Sequence, residues 1–217
     1  MVAEAASPPP EPIRFALDRG PLSQALADLR QTPALVLPCL AEPQRQALVA
    51  AADALPYRQA RPVIGGGPNA VHQDFELNFE IPAPSPFHDL TAALGVLVDR
   101  ALAAMAAPPL SPPIAFNDLI VQRYPVGCGG MTPHRDHLRY RGLVVLVLLQ
   151  AGGMFYLSDD RQGNGRRDLP ARPGDMILMI APDFAGRAGP RPFHGVDRIT
   201  ARRYSIGIRH DRDRPGA

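Results

Sequence analysis

The sequence predicts an α+β fold that is mainly β: a double-stranded β-helix, or jelly-roll barrel, with N-terminal helices packed on its outer face. Three observations predict it. From Pro108 onward, short apolar runs alternate with turns bearing Gly and Pro, the texture of an antiparallel sheet folded into two layers. Before Pro108, three segments carry leucines at helical spacing. His134 and Asp136 stand two residues apart, with His194 far behind them, so strands from different parts of the chain have to bring them together.

A chain of 217 residues is one domain of ordinary size. Residues 1–13 are rich in Pro and Ala and are expected to form a flexible arm. Residues 14–110 hold the helices and a lid strand, and residues 111–211 the jelly-roll catalytic core. The first helix is expected from Pro21 to Arg30, with Leu22, Leu26 and Leu29 on one side. Ala34–Leu37 is a short strand. Glu42-Pro43 opens a second helix through Leu55, with proline in the first turn, where its missing N–H costs nothing. The third helix runs from Pro86 to Ala106.

Between the second and third helices, Phe75, Leu77, Phe79 and Ile81 alternate as in a half-buried strand, with both phenylalanines facing the core. Gly65-Gly66-Gly67 precedes that strand but does not join a strand to a helix, so it is a turn and no phosphate loop. Residues 57–81 are expected to form a lid whose glycines permit motion. The barrel strands are read at Leu119–Tyr124, Leu143–Leu149, Met154–Leu157, Met176–Ile180, Phe193–Val196 and Arg203–Arg209.

Composition excludes several classes. No apolar run approaches the ~18 residues of a membrane span, and the first residues lack the basic and apolar regions of a signal peptide. Cys39 and Cys128 do not make a disulfide framework, so a reducing cytoplasm is the expected compartment. All 23 basic residues are arginine. Residues 1–110 carry seven Arg against eleven acids, and residues 111–217 sixteen Arg against ten acids. A basic second half suits an anionic co-substrate, and a net charge of +2 is no nucleic-acid signature.

The chemistry concentrates in the second half. Residues i and i+2 of a strand share a face, so His134 and Asp136 can converge on one ion while Arg135 points away. With His194 they make two imidazoles and one carboxylate, the ligand set of a mononuclear ferrous site with open positions. Zinc held by His134, His137 and Cys128 is a rival that lacks the paired spacings of structural zinc. From Arg203 to Arg209 one strand face carries Arg203, Ser205, Gly207 and Arg209, and the other Tyr204, Ile206 and Ile208. The first face suits a polar cavity and the second a core. Gln122 and Tyr124 share a face of the strand before His134, with an amide and a phenol able to bond a carboxylate.

Gln122-Arg123-Tyr124-Pro125-Val126-Gly127, His134-Arg135-Asp136, Pro173-Gly174-Asp175, His194 and Arg203-Tyr204-Ser205-Ile206-Gly207-Ile208-Arg209 resemble the Fe(II)/2-oxoglutarate-dependent dioxygenases. The strand with two arginines resembles their AlkB-like branch in particular. The resemblance implies that His134, Asp136 and His194 bind iron and that Arg203 holds the far carboxylate of 2-oxoglutarate. It also implies that Tyr124, Gln122 and Ser205 contact that co-substrate and that Arg209 borders the reacting centre. The implied reaction uses O2 and 2-oxoglutarate to oxidise a C–H bond, by hydroxylation or oxidative demethylation.

Two departures bear on the substrate. Leu138 stands where AlkB-type repair enzymes carry an acidic residue, and the chain has no tryptophan to stack a base. A small anionic molecule or an amino-acid or peptide side chain is therefore expected ahead of nucleic acid. A non-catalytic barrel binding metal or ligand is the alternative from a different class.

Overall fold

The computed structural model describes residues 13–186 and 190–214, so the arm expected over residues 1–13 lies, apart from Ile13, outside the described residues. Three helices form where leucine spacing places them: α1 at Arg19–Asp28, α2 at Glu42–Asp53 and α3 at Pro86–Ala103. The longest of them, α3, shows why. Ser85 caps its start, Pro86 occupies a first-turn position, and Phe87, Leu90, Leu94, Val98, Ala101 and Leu102 fall on one buried stripe. None of the described helices is long and apolar enough to cross a membrane.

The strands are β1 Ala34–Pro38, β2 Arg58–Gln59, β3 Val63–Ile64, β4 Val71–Asp74, β5 Glu76–Asn78, β6 Asp118–Tyr124 and β7 Gly130–His134. They continue with β8 Tyr140–Ala151, β9 Met154–Ser158, β10 Arg167–Leu169, β11 Asp175–Ile180, β12 Phe193–Asp197 and β13 Arg203–Asp211. They build two antiparallel sheets. The larger has seven strands in the order β1-β11-β8-β13-β6-β5-β2, and the smaller six in the order β10-β9-β12-β7-β4-β3.

Period-two alternation sorts the larger sheet's side chains between two cores. Tyr204, Ile206 and Ile208 of β13 pack in one core with Leu22, Leu26, Phe87 and Leu94 from the helices. Leu148, Ile177 and Met179 project the other way, into a second core with Phe155, Leu157 and Val196 of the smaller sheet. The polar residues of β13, Arg203 and Ser205, are also buried, on the face opposite Tyr204 and Ile206.

Of the strand expected over residues 75–81 only β5 forms, and β4, just before it, belongs to the other sheet. β4 pairs with β7 in the smaller sheet, whereas β5 pairs with β6 in the larger, and the chain crosses at the buried Phe75. Phe79 lies past the end of β5 and is 41% exposed, with the Arg58 guanidinium carbon 4.7 Å above its ring centroid. The alternation stops governing side-chain direction there because Asn78 turns the chain. Its amide donates to the Pro56 carbonyl and its side-chain oxygen accepts from the Glu80 N–H.

Candidate metal and co-substrate site

His134 is the last residue of β7, and His194 stands directly opposite it on β12. Asp136 lies just beyond the strand, in the connection to β8, and not on the strand itself. The three residues nevertheless converge. One ligand atom from each lies within 4.8 Å of the others, and His134 Nε2 is 4.0 Å from the Asp136 carboxylate. No such group including His137 and Cys128 forms among the described residues.

Several contacts hold the ligands in place. The His134 Nδ1–H donates to the Thr132 carbonyl at 3.0 Å, which leaves Nε2 as the free donor atom. The His194 ring is tilted against that of His134 at 4.3 Å and stacks on Phe155 at 5.5 Å. Arg191, which the sequence reasoning passed over, donates to the Asp136 backbone carbonyl at 2.9 Å and so braces the loop carrying that carboxylate. Only a cation following a run of loop residues marks it in the sequence, and that is no signal.

The protonation states suit a metal. Burial, reinforced by the nearby His134, pulls His194 down to about 3. Burial likewise lowers His134, against the opposing charge of Asp136. Burial pushes the Asp136 carboxyl up, but His194, Arg209, His134 and Arg191 together outweigh it and hold the group below its usual range. Two neutral imidazoles and an ionised carboxylate are the donor set that a divalent ion needs. His194 Nδ1 is buried without a hydrogen-bond partner among the described residues, an unmet polar demand at the same spot.

A cavity of about 70 Å³ touches all three ligands and is lined by Gln122, Tyr124 and Arg209 among others. Strand register explains the grouping. Arg203 stands opposite Tyr124, Ser205 opposite Gln122 and Arg209 opposite Asp118 across β13 and β6, so all six share one face of the larger sheet. The Ser205 hydroxyl donates to the Gln122 side-chain oxygen at 3.1 Å. Tyr124 is buried and stacked on Phe75 at 4.9 Å, and its ring centroid lies 6.0 Å from the Arg203 guanidinium carbon.

Arg203 and Arg209 differ in their electrostatics. Arg209 Nε donates to the Asp118 carboxylate at 2.8 Å, so it has a counter-charge within the fold. Arg203 is 2% exposed and makes no ion pair among the described residues. Among the described residues its one hydrogen bond goes to the Gly153 carbonyl at 3.3 Å and Nε has no partner, and burial pulls the group down to about 10. A buried cation without a counter-charge is costly unless something anionic joins it.

The pairing of β7 with β12 depends on glycine. Gly130 has φ of 73°, and a Cβ there would collide with the Val196 carbonyl. Gly130→Ala is therefore expected to cost on the order of 3 kcal/mol and to spread the two histidine-bearing strands apart. Thermal melting with and without a divalent ion checks both effects, and a variant that melts like wild type would refute them.

No family model matches the chain, and no curated protein matches it either. Solved structures do match. A prolyl hydroxylase from Trichoplax adhaerens, in complex with a hypoxia-inducible-factor oxygen degradation domain peptide fragment, aligns with TM-score 0.64 and 14% identity over 90% of this chain and 91% of that one. A prolyl-4-hydroxylase from Pseudomonas putida aligns with TM-score 0.60 and 16% identity over 88% and 99%. A non-heme alpha-ketoglutarate-dependent epimerase from nogalamycin biosynthesis aligns with TM-score 0.61 and 15% identity over 89% and 84%. The chain therefore has the jelly-roll fold of the 2-oxoglutarate oxygenases.

Proposed function

We propose that the protein is an Fe(II)- and 2-oxoglutarate-dependent dioxygenase that oxidises a C–H bond of a small molecule or an amino-acid or peptide side chain. One juxtaposition carries this. The convergent His134, Asp136 and His194 touch a cavity whose wall, through Tyr124, adjoins a buried and uncompensated Arg203. The residues fit the two groups that this chemistry needs.

In this account His134 Nε2, the Asp136 carboxylate and His194 hold one ferrous ion. Iron held there would supply redox chemistry for activating O2, one oxygen atom leaving in succinate as 2-oxoglutarate loses carbon dioxide and the other serving to oxidise the C–H bond. Arg203 grips the far carboxylate through its planar fork, which a lysine cannot reproduce. The Tyr124 phenol adds a second contact, and Gln122 and Ser205, already bonded to each other, complete the polar wall. Arg209, tied to Asp118, borders the reacting centre as a fixed wall element. Residues 14–110 and 111–211 form one domain, with the helices buttressing the outer face of the barrel and residues 57–81 covering the site.

Within the superfamily, the spacing of Arg203 and Arg209 favours an AlkB-like strand, while the aligned solved structures named above act on prolyl peptides or belong to small-molecule biosynthesis. Nucleic-acid demethylation is the second reading, and the exposed Phe79 is the observation that favours it. Arg58 already covers that ring, which ranks the reading second. Anisotropy with methylated single-stranded oligonucleotides reverses the order if binding is tight and methyl-dependent.

Turnover tests the main proposal. Incubated with Fe(II), 2-oxoglutarate and O2, the protein is expected to form succinate slowly even without a prime substrate. A metabolite extract should accelerate succinate formation and show products gaining one oxygen or losing one methylene. No succinate above the level of an Asp136→Ala variant would refute the enzyme.

A further inference from the structure

Resting on the dioxygenase account, we propose that Arg135, Arg161 and Arg191, gathered around Phe193 beside the triad, bind an oxyanion carried by the prime substrate. The group is a carboxylate or a phosphate. Arg209, which also borders the centre, is already engaged with Asp118 through its Nε.

The guanidinium carbons of Arg135 and Arg161 lie 4.1 and 5.3 Å from the Phe193 ring centroid, so two cations share one ring. Arg191 is two residues before Phe193 and reaches the Asp136 carbonyl through Nη1, leaving the rest of its fork without a hydrogen bond among the described residues. Two of the three bear on the centre directly, and the third bears on one of those two. The charge of Arg161 acts on His134, that of Arg191 on both His194 and Asp136, and that of Arg135 on Arg191. Phe193 precedes the ligand His194 directly.

None of the three forms an ion pair with a carboxylate side chain among the described residues, and Arg135 Nε and Arg161 Nη1 are buried without a hydrogen-bond partner. Most other described arginines of the barrel half do pair with a carboxylate. Elsewhere in the barrel half, Arg139 pairs with Asp211, Arg166 with Asp168 and Asp197, and Arg198 with both of the latter. The acids nearest Arg161 in sequence are engaged elsewhere: Asp159 with Arg167, and Asp160 with the N–H groups of Gln162 and Asn164. Like charges crowded on one ring, partly withdrawn from water, raise the free energy of the empty site. An oxyanion reverses that, since guanidinium forks match carboxylate and phosphate geometry. Its position beside the ligand strands would fix which C–H bond faces the metal.

The test is anion binding, read by calorimetry under anaerobic conditions with Mn(II) and saturating 2-oxoglutarate, so that Arg203 is already occupied. Inorganic phosphate and N-acetylglutamate are the probes. One of them should bind wild type and bind about tenfold or more weakly to Arg135→Gln and Arg161→Gln. Arg161→Lys, which keeps the charge but not the fork, should lose part of the affinity. Arg172→Gln, removing an exposed arginine in the turn before β11, should bind as wild type. A phosphate preference indicates a phosphorylated substrate, and an N-acetylglutamate preference a carboxylate. Binding of neither probe, or equal binding by wild type and the glutamine variants, overturns the proposal. Repeating the titration without metal and co-substrate separates the two accounts. Anion binding that survives there and is still lost in Arg161→Gln, while 2-oxoglutarate fails to bind, refutes the dioxygenase and leaves the arginine site standing.

Discussion

Arg203→Ala is expected to weaken 2-oxoglutarate binding by about 2–4 kcal/mol, roughly 30- to 1,000-fold. The cation is 2% exposed, and among the described residues its Nε is unpartnered and its one hydrogen bond is a 3.3 Å donation to the Gly153 carbonyl. No carboxylate among the described residues offsets its desolvation, and the far carboxylate of the co-substrate would meet it with a charge-assisted pair. Arg203→Lys should be a partial lesion, keeping a point charge and losing the fork. Arg203→Met distinguishes a binding role from a structural one. Replacing a buried unpaired cation by an apolar side chain of similar length should leave the ligand-free protein as stable as wild type or more so. Calorimetry gives the affinities and thermal melting the stabilities. A Met variant that melts far below wild type would mean that Arg203 serves the fold.

Losing one ligand of the triad should be the second large effect. Asp136→Asn nearly preserves shape and removes the ionised oxygen, and is expected to weaken divalent-metal binding by at least about 100-fold, since even outer contacts of metal ligands are worth 10- to 100-fold. His194→Ala should do the same, with some added loss of stability because it also removes the ring stacked on Phe155. Metal content after dialysis, with melting curves as the control for folding, checks both. An Asp136→Asn protein that retains one tightly bound ion would contradict the assignment.

Much of this site is legible in the sequence because strand periodicity writes it there. The alternation of Arg203 to Arg209 separates a polar face from an apolar one, and the structure buries Tyr204, Ile206 and Ile208 with the helices as that alternation requires. The convergence of His134 and Asp136 is also legible, although for a partly different reason. The strand ends at His134, and the loop held by Arg191 brings Asp136 round. What the sequence hides depends on pairing across long separations. Phe75 looks like one member of an alternating strand, yet the chain changes sheets there, because its neighbours on either side pair with β7 and β6. The pairing of Arg209 with Asp118 and the unpaired state of Arg135 and Arg161 are equally invisible, since Asp118 lies 91 residues from Arg209 and no local pattern reports who pairs with whom.

Anaerobic calorimetry of 2-oxoglutarate, performed with and without Fe(II), tests most directly whether triad and arginine form one site. The account predicts binding of one equivalent that tightens strongly when Fe(II) is present, loses that metal dependence in Asp136→Asn, and weakens in Arg203→Ala with or without metal. Binding indifferent to Fe(II), or unchanged in both variants, would contradict it.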